Sequence, residues 1–179
     1  MSSARIIHLP KITDPRGNLS FLEGLKHIPF EIKRAYWIYD VPGGEIRGSH
    51  AFKEQHEFIV AMSGSFDVIV DKGFGRKRKF SLNRSYFGLY VPAGHWRQML
   101  NFSSSSIALV LTSTLFDEND YIRDYNQFLK LKENHSIPKL MVHSSENDSY
   151  STSLIVPSKT SIADCKMIEL DKHHREKGN

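Results

Sequence analysis

One cysteine, Cys165, stands in the 179 residues, so no internal disulfide can form. No Cys/His cluster has the spacing of a zinc site. No apolar run approaches the ~18 residues of a membrane span, and the N-terminus lacks the basic-then-apolar order of a secretory signal. A Gly-x-Gly-x-x-Gly fingerprint for a nicotinamide or flavin cofactor is also missing. Together these absences point to a cytoplasmic chain with no membrane partner. Charge of one sign is scarce too: 24 Lys and Arg against 20 Asp and Glu leave a formal +4. The one dense basic patch, Arg76-Lys-Arg-Lys79, sits between glycines and a strand-like Phe80-Ser-Leu, and reads as a solvated hairpin tip. Nucleic acid is therefore not an expected partner.

What is present is strand after strand. Arg5 to Leu9 is a short strand stopped by Pro10, and Asp14-Pro-Arg-Gly17 is a turn signal. Asn18 to Glu23 alternates polar and apolar. Phe30 to Val41 is dense in aromatic and branched residues, with Arg34, Tyr36 and Ile38 on one face and Ala35, Trp37 and Tyr39 on the other. Further strands are expected over 47–63, 65–71, 77–83, 86–91, 95–102 and 107–112, punctuated by Gly, Pro, Asn and Ser turns. Even strands with turns every 8–12 residues mark an all-β barrel or sandwich. Only Glu118 to Lys132 has helical spacing, with Tyr121, Tyr125, Phe128 and Leu129 on one face. The expected fold is an all-β jelly-roll barrel with one C-terminal helix and an extended tail.

The domain is expected to span 1–132, followed by a linker over 133–164, where Ser144 to Ser153 has almost nothing to bury. Residues 165–179 echo residues 4–18: Ile7, Leu9, Lys11, Gly17 and Asn18 return as Ile168, Leu170, Lys172, Gly178 and Asn179. The tail is thus expected to be the first strand of a truncated second copy of the domain; coincidence in an unstructured tail is the alternative.

The chemistry concentrates in Gly48-x-His50-x-Phe52-x4-Glu57-x6-Gly64, which resembles the first motif of the cupin superfamily, where two histidines and a glutamate usually hold a metal. Phe52 occupies the second histidine position and cannot ligate. The second motif falls at Tyr90-Val-Pro-Ala-Gly-His-Trp-Arg97, whose ligand is either His95 or has become the cation Arg97. A metal site normally needs three or four donors, so a metal-free barrel is expected. His50 then becomes the acid/base group, since an imidazole exchanges protons near neutral pH. A phenol such as Tyr36 suits a developing alkoxide, and Arg16, Arg47 and Arg97 suit phosphate, which guanidinium grips bidentately. Each has a plain structural alternative: His50 a satisfied core residue, Tyr36 a packing group, Arg47 a salt-bridge partner. His56 is assigned to the surface.

Longer stretches carry a closer resemblance. Asp14-x-Arg-Gly-Asn18, Pro29-Phe-Glu-Ile-Lys-Arg-x-Tyr36, Arg47-Gly-x-His-Ala-x-Lys53, Ser63-Gly-Ser65, Val91-Pro92, Trp96 and Asp117 to Leu129 look like the WxcM-like sugar 3,4-ketoisomerases. That resemblance, over roughly residues 4–130, implies a cofactor-free homodimeric cupin acting on a dTDP-linked keto sugar. It would move the ketone of dTDP-4-keto-6-deoxyglucose from C4 to C3, and such enzymes usually feed an aminotransferase and an acyltransferase. It implies His50 and Tyr36 as catalytic residues, with Arg16, Arg47, Arg97, Lys53 and Glu57 toward substrate. Phe52 departs from the family's His-Ala-His-Lys, leaving His50 alone as base, or passing a step to Tyr36 or water, or marking an inactive domain. The rival readings are a 3,5-epimerase, a non-catalytic sugar-nucleotide-binding domain, and a metal cupin using His50, Glu57 and His95.

Overall fold

The computed structural model describes residues 3–136. Twelve strands are found among them: β1 (Arg5–His8), β2 (Lys11–Asp14), β3 (Gly17–Ser20), β4 (Arg34–Ile38), β5 (Arg47–Phe52), β6 (Glu57–Ser63), β7 (Phe66–Asp71), β8 (Lys77–Leu82), β9 (Phe87–Val91), β10 (Trp96–Leu100), β11 (Ile107–Thr112) and β12 (Tyr121–Ile122). One helix, α1 (Tyr125–Ser136), follows. The antiparallel pairing makes two five-stranded sheets, ordered β1-β9-β6-β11-β4 and β12-β5-β10-β7-β8. They face each other as the expected jelly roll.

Strand alternation explains the core. In β6, Ile59 and Ala61 join Val68, Val70, Leu89, Met99 and Val110 between the sheets, while Phe58 and Val60 point outward. The outward face is not wet, because Ile28 and Phe30 from the preceding long loop cover it. On the other sheet Ala51, Trp96 and Ile122 are covered by Phe128 of α1. Both faces of each central strand are therefore buried, which is why β6 reads as a nearly continuous apolar run.

Three sequence expectations are corrected. The strand expected over 30–41 is ordered as strand only from Arg34 to Ile38, since Phe30 leaves the ladder to cap the outer face. Lys11 to Asp14 is a strand rather than a lead-in to the turn, pairing with β3 across Asp14↔Gly17 as an isolated hairpin. The helix begins at Tyr125 rather than Glu118. Asp117 caps a short 3-10 turn, Tyr121 and Ile122 pair with β5 opposite Phe52 and Ala51, and the Asp124 carboxylate then accepts from Gln127 N–H at 2.6 Å to start α1. The helix runs to Ser136, into the expected linker. The rest of that linker and the 165–179 echo lie outside the described residues. No helix among the described residues is long and apolar enough to cross a membrane.

Candidate active site

At one end of the barrel, inward positions of β4, β5, β6 and β10 bring Tyr36, His50, Glu57 and Arg97 together. Register does this: Arg97 lies opposite His50 across the β10–β5 pair, and Glu57 opens β6 opposite Thr112. Arg97 and Glu57 each expose 1% of their side chains. Their pairing is bidentate, Nε to Oε2 and Nη2 to Oε1, both at 2.8 Å. The Tyr36 hydroxyl donates to Glu57 Oε1 at 2.9 Å and accepts from Arg97 Nη2 at 3.1 Å. Arg97 Nη1 donates to the Gly48 carbonyl at 3.1 Å.

Gly48 shows why the motif begins with glycine. Its φ is +65°, and a Cβ there would stand 1.6 Å from Arg97 Nη1. Only a residue with no side chain lets the guanidinium lie across β5.

Burial opposes the charge on Glu57, but Arg97's charge and hydrogen bonds outweigh it and hold the carboxyl below its usual range. Burial likewise opposes the charge on Arg97, and Glu57 more than restores it. Tyr36 is pushed far up, first by burial and then by Glu57, so its phenol keeps its proton.

His50 has a different environment. Its ring lies edge-on to Phe52 at 4.8 Å and to Tyr121 at 5.1 Å, and its Nε2 is buried without a hydrogen-bond partner among the described residues. Burial and then the Arg97 charge lower its pKa to about 3, with Arg123 adding and Glu57 opposing. The imidazole is neutral at physiological pH, holding a lone pair beside a guanidinium. Such a group takes a proton only when negative charge develops next to it.

The rim is aromatic and cationic. Arg34 lies over the rings of Tyr36 and Phe116, and Arg123 lies 4.2 Å over Tyr121 while pairing with Glu118. Asp120 holds this rim in place: its carboxylate accepts from the backbone N–H of Glu54 and Gln55.

Residues 2–133 match the family described as "FdtA: WxcM-like, C-terminal". The chain is 43% identical over 126 residues to a TDP-4-oxo-6-deoxy-α-D-glucose-3,4-oxoisomerase of Aneurinibacillus thermoaerophilus, covering 70% of this chain and 90% of that protein. The chain belongs to the WxcM-like sugar 3,4-ketoisomerase family. Among solved structures, a 3,4-ketoisomerase from Helicobacter canadensis superposes with TM-score 0.70 at 42% identity, over 73% of this chain and 97% of that one. The ketoisomerase QdtA of Thermoanaerobacterium thermosaccharolyticum, solved with TDP, superposes with TM-score 0.72 at 32% identity, over 75% and 98%. A Mycobacterium tuberculosis epimerase, at TM-score 0.57 and 21% identity, shares the fold alone.

Within this ketoisomerase framework, His50, Tyr36, Glu57 and Arg97 converge as one cluster. Arg97 is not placed as a phosphate clamp: its guanidinium is buried and engaged by Glu57, Tyr36 and Gly48. Glu57 faces Arg97 rather than the rim, and both its oxygens are taken. A metal at this point would meet the guanidinium, and the alternative donor His95 instead turns its Nδ1 to the Ala93 carbonyl. Lys53 reaches the Asn119 carbonyl at 2.6 Å and so positions the rim. Arg47 is exposed at the start of β5. Arg16 stands on the β2–β3 turn bonded to Asp14, and none of its hydrogen bonds reaches the cluster. His56 is not a surface residue; it is half-buried, stacked on Tyr90 and bonded to its hydroxyl at 2.8 Å. Sequence reasoning missed Tyr121, Arg34 and Arg123 as site residues. Alternation did place Arg34 on the Tyr36 face, but helical spacing drew Tyr121 to the wrong element.

Proposed function

We propose that this chain converts dTDP-4-keto-6-deoxyglucose into its 3-keto isomer, with His50 as the proton-transfer base. The observation that carries the reading is the neutral, buried His50 imidazole with an unpartnered nitrogen, set in a chain of this family. The C4 ketone acidifies the C3 proton. His50 takes that proton, the C3–C4 double bond forms, and the electrons move onto the C4 oxygen, which gains a proton to give the enediol. A proton then returns to C4 as the O3 proton is lost, leaving a ketone at C3 and a hydroxyl at C4. Protons alone move, and the electron pair stays within the sugar.

The resting His50 disfavours its own protonation, because Arg97 stands beside it. An enediolate formed within reach reverses that balance, since its negative charge pairs with the imidazolium while the proton is held. Tyr36 is fixed as a donor to Glu57, so its first role is to brace Arg97. Releasing that bond frees the phenol for the substrate oxygen.

The diphosphate is assigned to two exposed arginines, Arg47 at the start of β5 and Arg16 on the hairpin turn. We infer a homodimer. Ile12 and Leu19 on that hairpin are more than half exposed, as are Trp37 of β4 and Tyr39 just after it, which is apolar area that a second subunit would cover. A cytoplasmic setting suits a nucleotide-sugar substrate.

Incubation with dTDP-4-keto-6-deoxyglucose in deuterated water, read by NMR, tests the reaction. Deuterium at C4 of a 3-keto product is expected; label at C5 would instead indicate epimerisation, and no exchange would indicate a binding module. His50→Asn should abolish the exchange while leaving the circular dichroism unchanged, and retained turnover would remove His50 from the mechanism.

A further inference from the structure

The two cations over the rim rings differ in what offsets them. Arg123 pairs with Glu118 at 3.0 Å. Arg34 is half-buried and has no carboxylate partner among the described residues. Its Nη2 donates to the Gln55 side-chain oxygen at 3.0 Å, a neutral acceptor. Its Cζ lies 5.3 Å from the centre of the Tyr36 ring and 5.4 Å from that of Phe116. Ring faces offset part of the cost of holding an unpaired guanidinium out of water, and an amide oxygen supplies no full charge.

Unmatched donors gather on the same pair of side chains. Arg34 Nε and Gln55 Nε2 are both buried without a hydrogen-bond partner among the described residues. Gln55 is 2% exposed and its amide is oriented, because Arg34 Nη2 and the Thr114 hydroxyl, the latter at 2.9 Å, both donate to its oxygen. Each buried donor without an acceptor costs free energy, so two on touching side chains mark a place that packing alone does not explain.

Placement ties the pair to the substrate site. Arg34 opens β4 on the face of Tyr36. Ring contacts then run from Arg34 to Phe116, on to Tyr121 at 5.8 Å, and from Tyr121 to His50 at 5.1 Å. Arg34 thus belongs to the wall around His50. Arg97, in the same wall, cannot serve a new charge: all three of its side-chain nitrogens are engaged, and Glu57 neutralises it.

We propose that Arg34 is a further catalytic residue that stabilises the enediolate oxygen, with Gln55 as its positioning residue; this rests on the isomerase reading above. As His50 takes the C3 proton, the C3–H electron pair becomes the C3–C4 double bond and the carbonyl pair moves onto the C4 oxygen. Arg34 meets that charge as a cation and gives up no proton. Gln55 holds the guanidinium through Nη2 and adds its own Nε2–H as a second donor. Donors fixed before the charge develops are the ones that stand unmatched in the resting protein.

Steady-state kinetics on the full chain, with thymidine diphosphate affinity measured by calorimetry, test this. Arg34→Met should lower kcat and kcat/KM together, by about a hundredfold or more, and leave the diphosphate affinity within about twofold. Gln55→Glu discriminates further, because it gives Arg34 a carboxylate. A bond that only braces the wall would be strengthened and turnover kept, whereas a neutralised catalytic charge should lower kcat about tenfold or more at unchanged KM. Gln55→Leu, which buries no carboxylate, should lower kcat in the same way and decides the matter if Gln55→Glu does not fold by circular dichroism. Full turnover in a folded Gln55 variant would overturn the proposal. So would an Arg34→Met variant that keeps kcat and loses diphosphate affinity in step with kcat/KM, which would place Arg34 on the diphosphate. A parent chain that exchanges no C3 proton in deuterated water ends the isomerase reading and this inference with it. An exchanging parent equalled by Arg34→Met ends this inference alone.

Discussion

Arg97→Met separates the two roles of the buried guanidinium. Arg97 and Glu57 each expose 1% of their side chains, and the substitution removes two 2.8 Å charge-assisted bonds to Glu57. It also removes the donors to Gly48 O and the Tyr36 hydroxyl. What remains is a carboxylate sealed from water with only the Tyr36 hydroxyl beside it. Breaking a buried pair on one side costs about 3–5 kcal/mol, a large share of the roughly 5–15 kcal/mol that holds a domain. The pH dependence has a definite sign. In the parent chain Glu57 is held below its ordinary value of 4.5, so its contribution is present above that value and lost as pH falls through the depressed one. In the variant, burial acts without Arg97 and Glu57 rises, so acid relieves the strain. The gap between the two proteins should be widest at neutral pH and should narrow toward pH 5. Guanidinium unfolding followed by tryptophan fluorescence measures this. Replacing both partners, Glu57→Leu with Arg97→Met, should recover most of the loss, because two apolar groups leave nothing unpaired. A single-variant cost below about 1 kcal/mol, or a double variant no more stable than the single, would refute the reasoning.

Four further outcomes are expected. Because His50 stays neutral down to a pKa of about 3 in the free enzyme, kcat/KM should show no protonation step near 6.5, and an inflection there lost with His50→Asn would contradict the site electrostatics. The same lowered pKa makes the unfolded state bind the proton first, so stability should fall from about pH 6.5 toward 3, by up to about 1.4 kcal/mol per unit for His50; a flat profile in urea titrations would count against its burial. Phe52→His should leave turnover within about tenfold of the parent, since Phe52 only walls the His50 ring at 4.8 Å; turnover appearing solely in the variant would show that one histidine is not enough. Gly48→Ala should unfold or strongly destabilise the chain, by about 3 kcal/mol or more, because its Cβ collides with Arg97 in a left-handed backbone; a melt within a degree or two of the parent would be inconsistent with the geometry.

Much of the barrel was legible because strand periodicity is local. Alternation in Arg34 to Ile38 places Arg34 and Tyr36 on the inward face whatever the rest of the chain does. Turn chemistry at Asp14 to Gly17 and at Pro92 to Gly94 likewise needs only neighbours in sequence. The helix start was misread for the opposite reason. Tyr121 has helical spacing to Tyr125, yet the Asp120 carboxylate finds the backbone of Glu54 and Gln55, 65 or more residues away, and draws 121–122 into the sheet.

The sequence by itself determined an all-β barrel, the inward histidine at 50 and, through its motifs, the family. Chemical type and spacing along the chain were sufficient for those. Only the tertiary structure decided what Arg97 and Glu57 do. Whether a guanidinium grips a substrate phosphate or neutralises a buried carboxylate depends on how far it stands from water and from its partner. Two strands 40 residues apart set that distance here, by pairing the same guanidinium to both Glu57 oxygens. The tertiary structure likewise decided that His50 rests neutral, because desolvation and the Arg97 charge are properties of its surroundings and not of the imidazole.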